Sequence, residues 1–166
     1  MKTIAIDQIM DDVNFCDGSL RDIHVNKVEL SDWDKMLRFT AENYSVSNPD
    51  NKNIPLNISE IIEMLKNDSL LMRINVTSEI TINCNFFISE TSYDQIELDY
   101  DPKETQTRTK FQKILEFVVG LGSTLNKKVL VTPENCPDVV MLEYSPHDRK
   151  TFYFNDDREK FLIQNS

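Results

Sequence analysis

The chain has 166 residues, 40% hydrophobic and 28% charged, a composition that suits one globular domain with a sizeable core and excludes a disordered one. Its 18 basic and 28 acidic residues leave a formal charge of −10, which opposes docking on nucleic acid or an anionic membrane and would attract a basic partner, with solubility as the plainer reading of the acidity. Cys16, Cys84 and Cys136 have no C-x-x-C spacing, so neither a disulfide framework nor a zinc knuckle is expected, and none of the three glycines sits in a phosphate-binding loop.

In chain order, MKTIAIDQIMDD loses its apolar run at Asp7, too early for a signal-peptide core. No apolar run approaches the roughly 20 residues of a bilayer span. A reducing cytoplasm is the expected location. Ile4 and Ile6 alternate with polar residues and predict a short edge strand or a loose arm. A turn at Cys16-Asp17-Gly18-Ser19 leads into a strand over LRDIHVNKVEL. Ser31 then caps a helix that carries Trp33, Met36, Leu37, Ala41 and Tyr44 at helical spacing. Residues 45–57 read as the longest loop. Asn57 or Ser59 opens a second, shorter helix with Ile61, Ile62 and Leu65 on its apolar face.

The stretch 69–101 holds three strand-like runs, LLMRINV, EITINCNFFI and YDQIELDYD. After it, Thr107 or Thr109 opens the clearest helix, with Phe111, Ile114, Leu115, Val118, Leu121 and Leu125 spaced by threes and fours. Gly120 and Gly122 weaken that helix and signal its end or a close backbone approach. KVLVT, DVVMLEYS and TFYF complete the strands, TFYF at an edge, and Phe161, Leu162 and Ile163 either dock or fray. The predicted fold is α+β, a mostly antiparallel sheet with about three helices packed mainly on one face. One domain spans 1–166, with 1–15 open to being an arm and 155–166 a tail.

The most distinctive chemistry lies on the run 96–101. Ile96, Leu98 and Tyr100 share one face, and Glu97, Asp99 and Asp101 the other. Alternate strand residues stand about 7 Å apart. That is too far to share a proton and near enough to form one negative stripe, with Glu90 and Asp94 as neighbours. The stripe suits arginines from a partner; a metal would need ligands from elsewhere, and a solvated sheet face is the plain alternative. His24 and His147 have no H-E-x-x-H or G-x-S-x-G around them and read as surface or boundary residues. Cys84 reads as buried and Cys136 as the most accessible cysteine. Asp17, Arg21 and Asp22 suggest local ion pairs. No catalytic, cofactor or metal residue is predicted.

In overall character, and in strings such as DGSLRDI, IELDYDP and TPEN, the chain resembles the small acidic α+β immunity proteins of bacterial polymorphic-toxin systems. The resemblance implies a non-catalytic binding protein that neutralises a cognate toxin by covering its basic active-site cleft. It implies Glu97, Asp99, Asp101, Glu90 and Asp94 as contact residues. No cofactor, nucleic acid or membrane partner is expected, and a homodimer stays open. A small enzyme using His24, or a purely structural domain, is the alternative.

Overall fold

The computed structural model describes residues 1–164. The chain begins with strand β1 (Thr3–Ala5) and helix α1 (Ile6–Val13), then β2 (Arg21–Asn26), α2 (Leu30–Asn43), β3 (Ser45–Ser47) and α3 (Ile58–Leu65). The central hairpins follow as β4 (Leu71–Thr77), β5 (Ile80–Asn85) and β6 (Gln95–Tyr100). A single 3-10 turn, Pro102–Thr105, leads to α4 (Arg108–Leu125). Strands β7 (Val129–Pro133), β8 (Leu142–Ser145), β9 (Lys150–Phe154) and β10 (Lys160–Gln164) complete the sequence of elements. All ten strands form one sheet in the order β1-β10-β9-β8-β7-β2-β6-β5-β4-β3. Every pairing is antiparallel except β1 with β10, which is parallel.

The sheet is therefore mostly antiparallel, as predicted, but the helices number four among the described residues. The extra one is α1. Its Ile6, Ile9 and Val13 follow a helical repeat and are all buried, yet eight residues give too short a stretch to tell that repeat from the alternation of Ile4 and Ile6. Residues 1–15 thus contain a paired strand and a docked helix. Helix α2 begins at Leu30 rather than after Ser31, and the Asp32 carboxylate accepts a hydrogen bond from the Glu29 amide at 3.0 Å. Asn57 caps α3 by accepting from the Ser59 amide at 2.9 Å, and Thr107 caps α4 by accepting from the Lys110 amide at 3.4 Å.

Two other expectations change. Strand TFYF is β9, which is not an edge: it lies between β8 and β10, and the edges are β1 and β3. Part of the long loop is β3, too short to give a periodic signal. The tail docks as β10.

Register decides which side chains meet. Ile23 and Val25 of β2 stand beside Leu98 and Ile96 of β6, and Ile23 also stands beside Val131 of β7. These residues are buried and join one core cluster with Ile9, Trp33, Met36, Ile61 and the buried side of α4. Helix α4 packs tightly at its two glycines. A Cβ at Gly122 would run into the ring of Tyr144, which is anchored by a 2.7 Å hydrogen bond between its hydroxyl and Ser123. One at Gly120 would come within 2.8 Å of the Phe39 ring. Both glycines therefore mark a close approach, and the helix ends only at Asn126, whose left-handed φ of 52° closes it. The residues that alternate with this core, Asp22 and His24 among them, occupy the opposite face.

Candidate functional site

The strand alternation that sends Ile23 and Val25 into the core sends Asp22 and His24 to the opposite face. On β6 the same rule turns out Glu97 and Asp99. Antiparallel register then sets Asp22 directly beside Asp99, and His24 beside Glu97. On the other flank Thr132 of β7 stands beside Asp22, and beyond Asp99 comes Asn83 of β5. A polar row, Asn83–Asp99–Asp22–Thr132, thus crosses four strands. Directly opposed like charges are unfavourable, so the Asp22–Asp99 pair needs compensation.

The compensation is partial. Asn83 Nδ2 donates to Asp99 Oδ1 at 2.8 Å, and the Asn135 amide donates to Asp22 Oδ2 at 2.8 Å. Glu134 comes from the β7–β8 connection, where its Oε2 accepts from the Leu20 amide at 3.0 Å. Among the described residues no lysine or arginine forms an ion pair with Asp99, Asp22 or Glu97, and only His24 comes near Asp22 and Glu97. Burial therefore pushes the Asp99 carboxyl above its ordinary range, the Asn83 amide pulls it back, and the nearby charges of Asp22, Glu134 and Glu97 push it up further.

His24 lies at the middle of this cluster and is only 3% exposed, so the expectation of a surface or boundary histidine does not hold. Neighbouring strands cover it on both sides. Gln95 Nε2 donates to its Nδ1 at 2.8 Å, and its Nε2 donates to Thr132 Oγ1 at 3.2 Å. The two bonds fit one neutral tautomer, since an amide NH₂ can only donate. The Asp22 and Glu97 carboxylates approach the ring nitrogens no closer than 3.9 Å.

The other predicted contact residues lie elsewhere. Asp101 follows the last paired residue of β6 and accepts from the Lys103 amide at 2.9 Å, which starts the 3-10 turn. Glu90 is exposed in the turn bridged by Ser89 and Ser92, 3.4 Å from Lys66 Nζ. Asp94 is exposed just before β6, and its carbonyl accepts from the Val28 amide at 2.9 Å. The structure thus brings Glu97 and Asp99 together with Asp22, His24 and Glu134; of the others only Asp94 shares a hollow with Glu97, while Asp101 and Glu90 sit in turns. Arg21 faces the other way. Its guanidinium donates to the carbonyls of Val13, Leu20 and Phe15, a structural role. Cys84 is buried, Cys16 and Cys136 are exposed, and His147 is on the surface 3.3 Å from Asp148.

Among the described residues no group of three or more His, Cys, Asp or Glu side chains is placed to hold a metal ion. No helix among them is long and apolar enough to cross a membrane. A cavity of about 450 Å³ opens between the β7–β8 connection and the β9–β10 turn, but none of Asp22, His24, Glu97 or Asp99 lines it. A smaller one of about 140 Å³ reaches Gln95 and Glu97 from the Phe87 side. Compared with known proteins, the chain matches no family model, no curated protein and no solved structure.

Proposed function

We propose that this chain is a non-catalytic binding protein of the immunity type, which lays an acidic sheet face over the basic active-site cleft of a cognate toxin. The observation that carries this reading is the set of carboxylates around Asp99. Register sets Asp22 directly beside Asp99, with Glu97 and Glu134 near enough to push its carboxyl up, and no lysine or arginine among the described residues forms an ion pair with Asp99, Asp22 or Glu97. Natural folds rarely keep such repulsion without a use, and a cationic partner relieves it on binding. Carboxylates at this density speed encounter with a basic surface, while apolar contacts set the lifetime of the complex. The overall charge of −10 acts in the same direction.

A small enzyme with His24 as general base is the second reading, favoured by the two carboxylates beside the ring. It is the weaker one. Both ring nitrogens are already engaged by Gln95 and Thr132, and a general base needs one within reach of a substrate proton. A robust turnover abolished by His24→Ala would reverse that order.

The test uses the product of an adjacent toxin-like reading frame, mixed with the wild type and with a Glu97→Lys/Asp99→Lys variant in stopped flow. Association of the variant should slow by about tenfold or more at low salt, and its salt dependence should flatten. Equal rates for both proteins at every salt concentration would remove this face from the function.

A further inference from the structure

Beside Glu97 the surface carries an aromatic residue that the core does not require. The segment Phe86-Phe87-Ile88 follows β5 through a tight turn in which the Phe87 amide donates to the Asn85 carbonyl at 3.0 Å, and it buries Phe86 and Ile88, with Phe86 5.8 Å from the Trp33 ring. Phe87 between them points outward and is 76% exposed. A serine or threonine would satisfy the same geometry without leaving an aromatic ring in water. Phe87 stands as a ridge between two hollows. One, about 140 Å³, has Glu97, Gln95 and Asp94 in its walls, and the other, about 440 Å³, has Leu65 and Leu70.

The charges on the two sides differ. In the larger hollow Asp68 is paired with Lys52, and Glu90, next to its wall residue Ser89, is paired with Lys66. Toward the smaller one, Glu97 meets only the buried His24, and Asp94 has no ion-pair partner among the described residues. An exposed ring therefore lies next to two uncompensated carboxylates.

We infer that this patch binds an arginine presented by a basic protein surface, its guanidinium stacked on Phe87 with Glu97 and Asp94 as counter-charges. A guanidinium fits here better than an ammonium. It is planar and weakly hydrated, so it can lie on an aromatic face while its edge hydrogen-bonds to carboxylates. The inference rests on the binding-protein reading above, and it names the chemistry that the partner must supply and the anchor that receives it.

The experiment uses two probes of equal charge, the capped peptides Arg-Leu-Arg-Ala-Arg-Leu-Arg and Lys-Leu-Lys-Ala-Lys-Leu-Lys, titrated into the isotope-labelled chain. The arginine peptide should shift the amides of residues 86–88 and 94–97 and bind at least about fivefold tighter than the lysine peptide. Phe87→Ser should bring the arginine peptide down to the level of the lysine peptide, with an unchanged melting temperature because the ring is exposed. Shifts elsewhere, no binding of either peptide, equal affinities, or an unaffected Phe87→Ser variant would overturn the assignment. The two proposals fail separately. A toxin that binds the Phe87→Ser variant as tightly as the wild type removes the arginine site and leaves the immunity reading. An arginine-selective patch with no toxin partner does the reverse.

Discussion

Asp99 concentrates the energetics of the candidate face in one side chain. Its folded-state pKa is raised, first by burial and then by Asp22, Glu134 and Glu97. For a carboxyl group a raised pKa means that ionisation costs more in the folded protein than in the unfolded chain. The cost is present at neutral pH and disappears as pH falls through the raised folded value to the ordinary one. Asp99→Asn keeps an acceptor for Asn83 and removes the charge. It should therefore raise stability at neutral pH by about 0.5–1 kcal/mol, with the gain vanishing in acid. Thermal melts across that pH range read this directly, and a gain that grows as pH falls would contradict the assignment of repulsion. Asp101 offers a contrast. It continues the alternation of Glu97 and Asp99 in sequence, yet it lies past the last strand pair and serves a turn. Periodicity alone could not reveal where pairing stops.

At the scale of elements, β6 was legible because its alternation is strict, and α4 because Phe111 to Leu125 hold a helical repeat over four turns. Asp22 was half legible. Its place opposite Ile23 follows from parity within LRDIHVN, but its place beside Asp99 depends on a pairing between strands about 75 residues apart in sequence, which no local pattern encodes. Glu134, from a connection between strands, left no periodic trace at all. The short elements α1 and β3 escaped for the same reason of length. Strand β10 gives this scale its test. It pairs with β9 and β1, buries Ile163, and sets Lys160 Nζ 3.9 Å above the Phe152 ring. Ending the chain at Asp157 uncovers β9 and strands β1 without a partner. The truncated protein should melt at lower temperature and form soluble oligomers by size-exclusion chromatography, since an uncovered strand is a template for pairing. A monomer with the wild-type melting temperature would mean that β10 is dispensable.

For the whole molecule, the charge of −10 is spread over a fold whose ion pairs are mostly at the surface. Such pairs contribute little individually, so net repulsion should dominate the response to ionic strength. Raising sodium chloride from low to physiological concentration should raise the melting temperature, and Glu97→Lys/Asp99→Lys should show a smaller rise. A melting temperature that falls with salt would show that attractive pairs outweigh the repulsion. Apolar burial in the core cluster thus holds the fold, and its surplus supports the charge strain around Asp99.

The parallel pairing of β1 with β10 has a mechanical side. The polypeptide leaves these neighbouring strands from opposite ends, because both run in the same direction. Tension applied ahead of β1 and beyond β10 would therefore act along the strands and load their hydrogen bonds in shear, all at once. An antiparallel pair at the same edge would open like a zipper, one bond after another. The arrangement makes the sheet edge a clamp against pulling, with its edge strand β1 six strand positions away from β6.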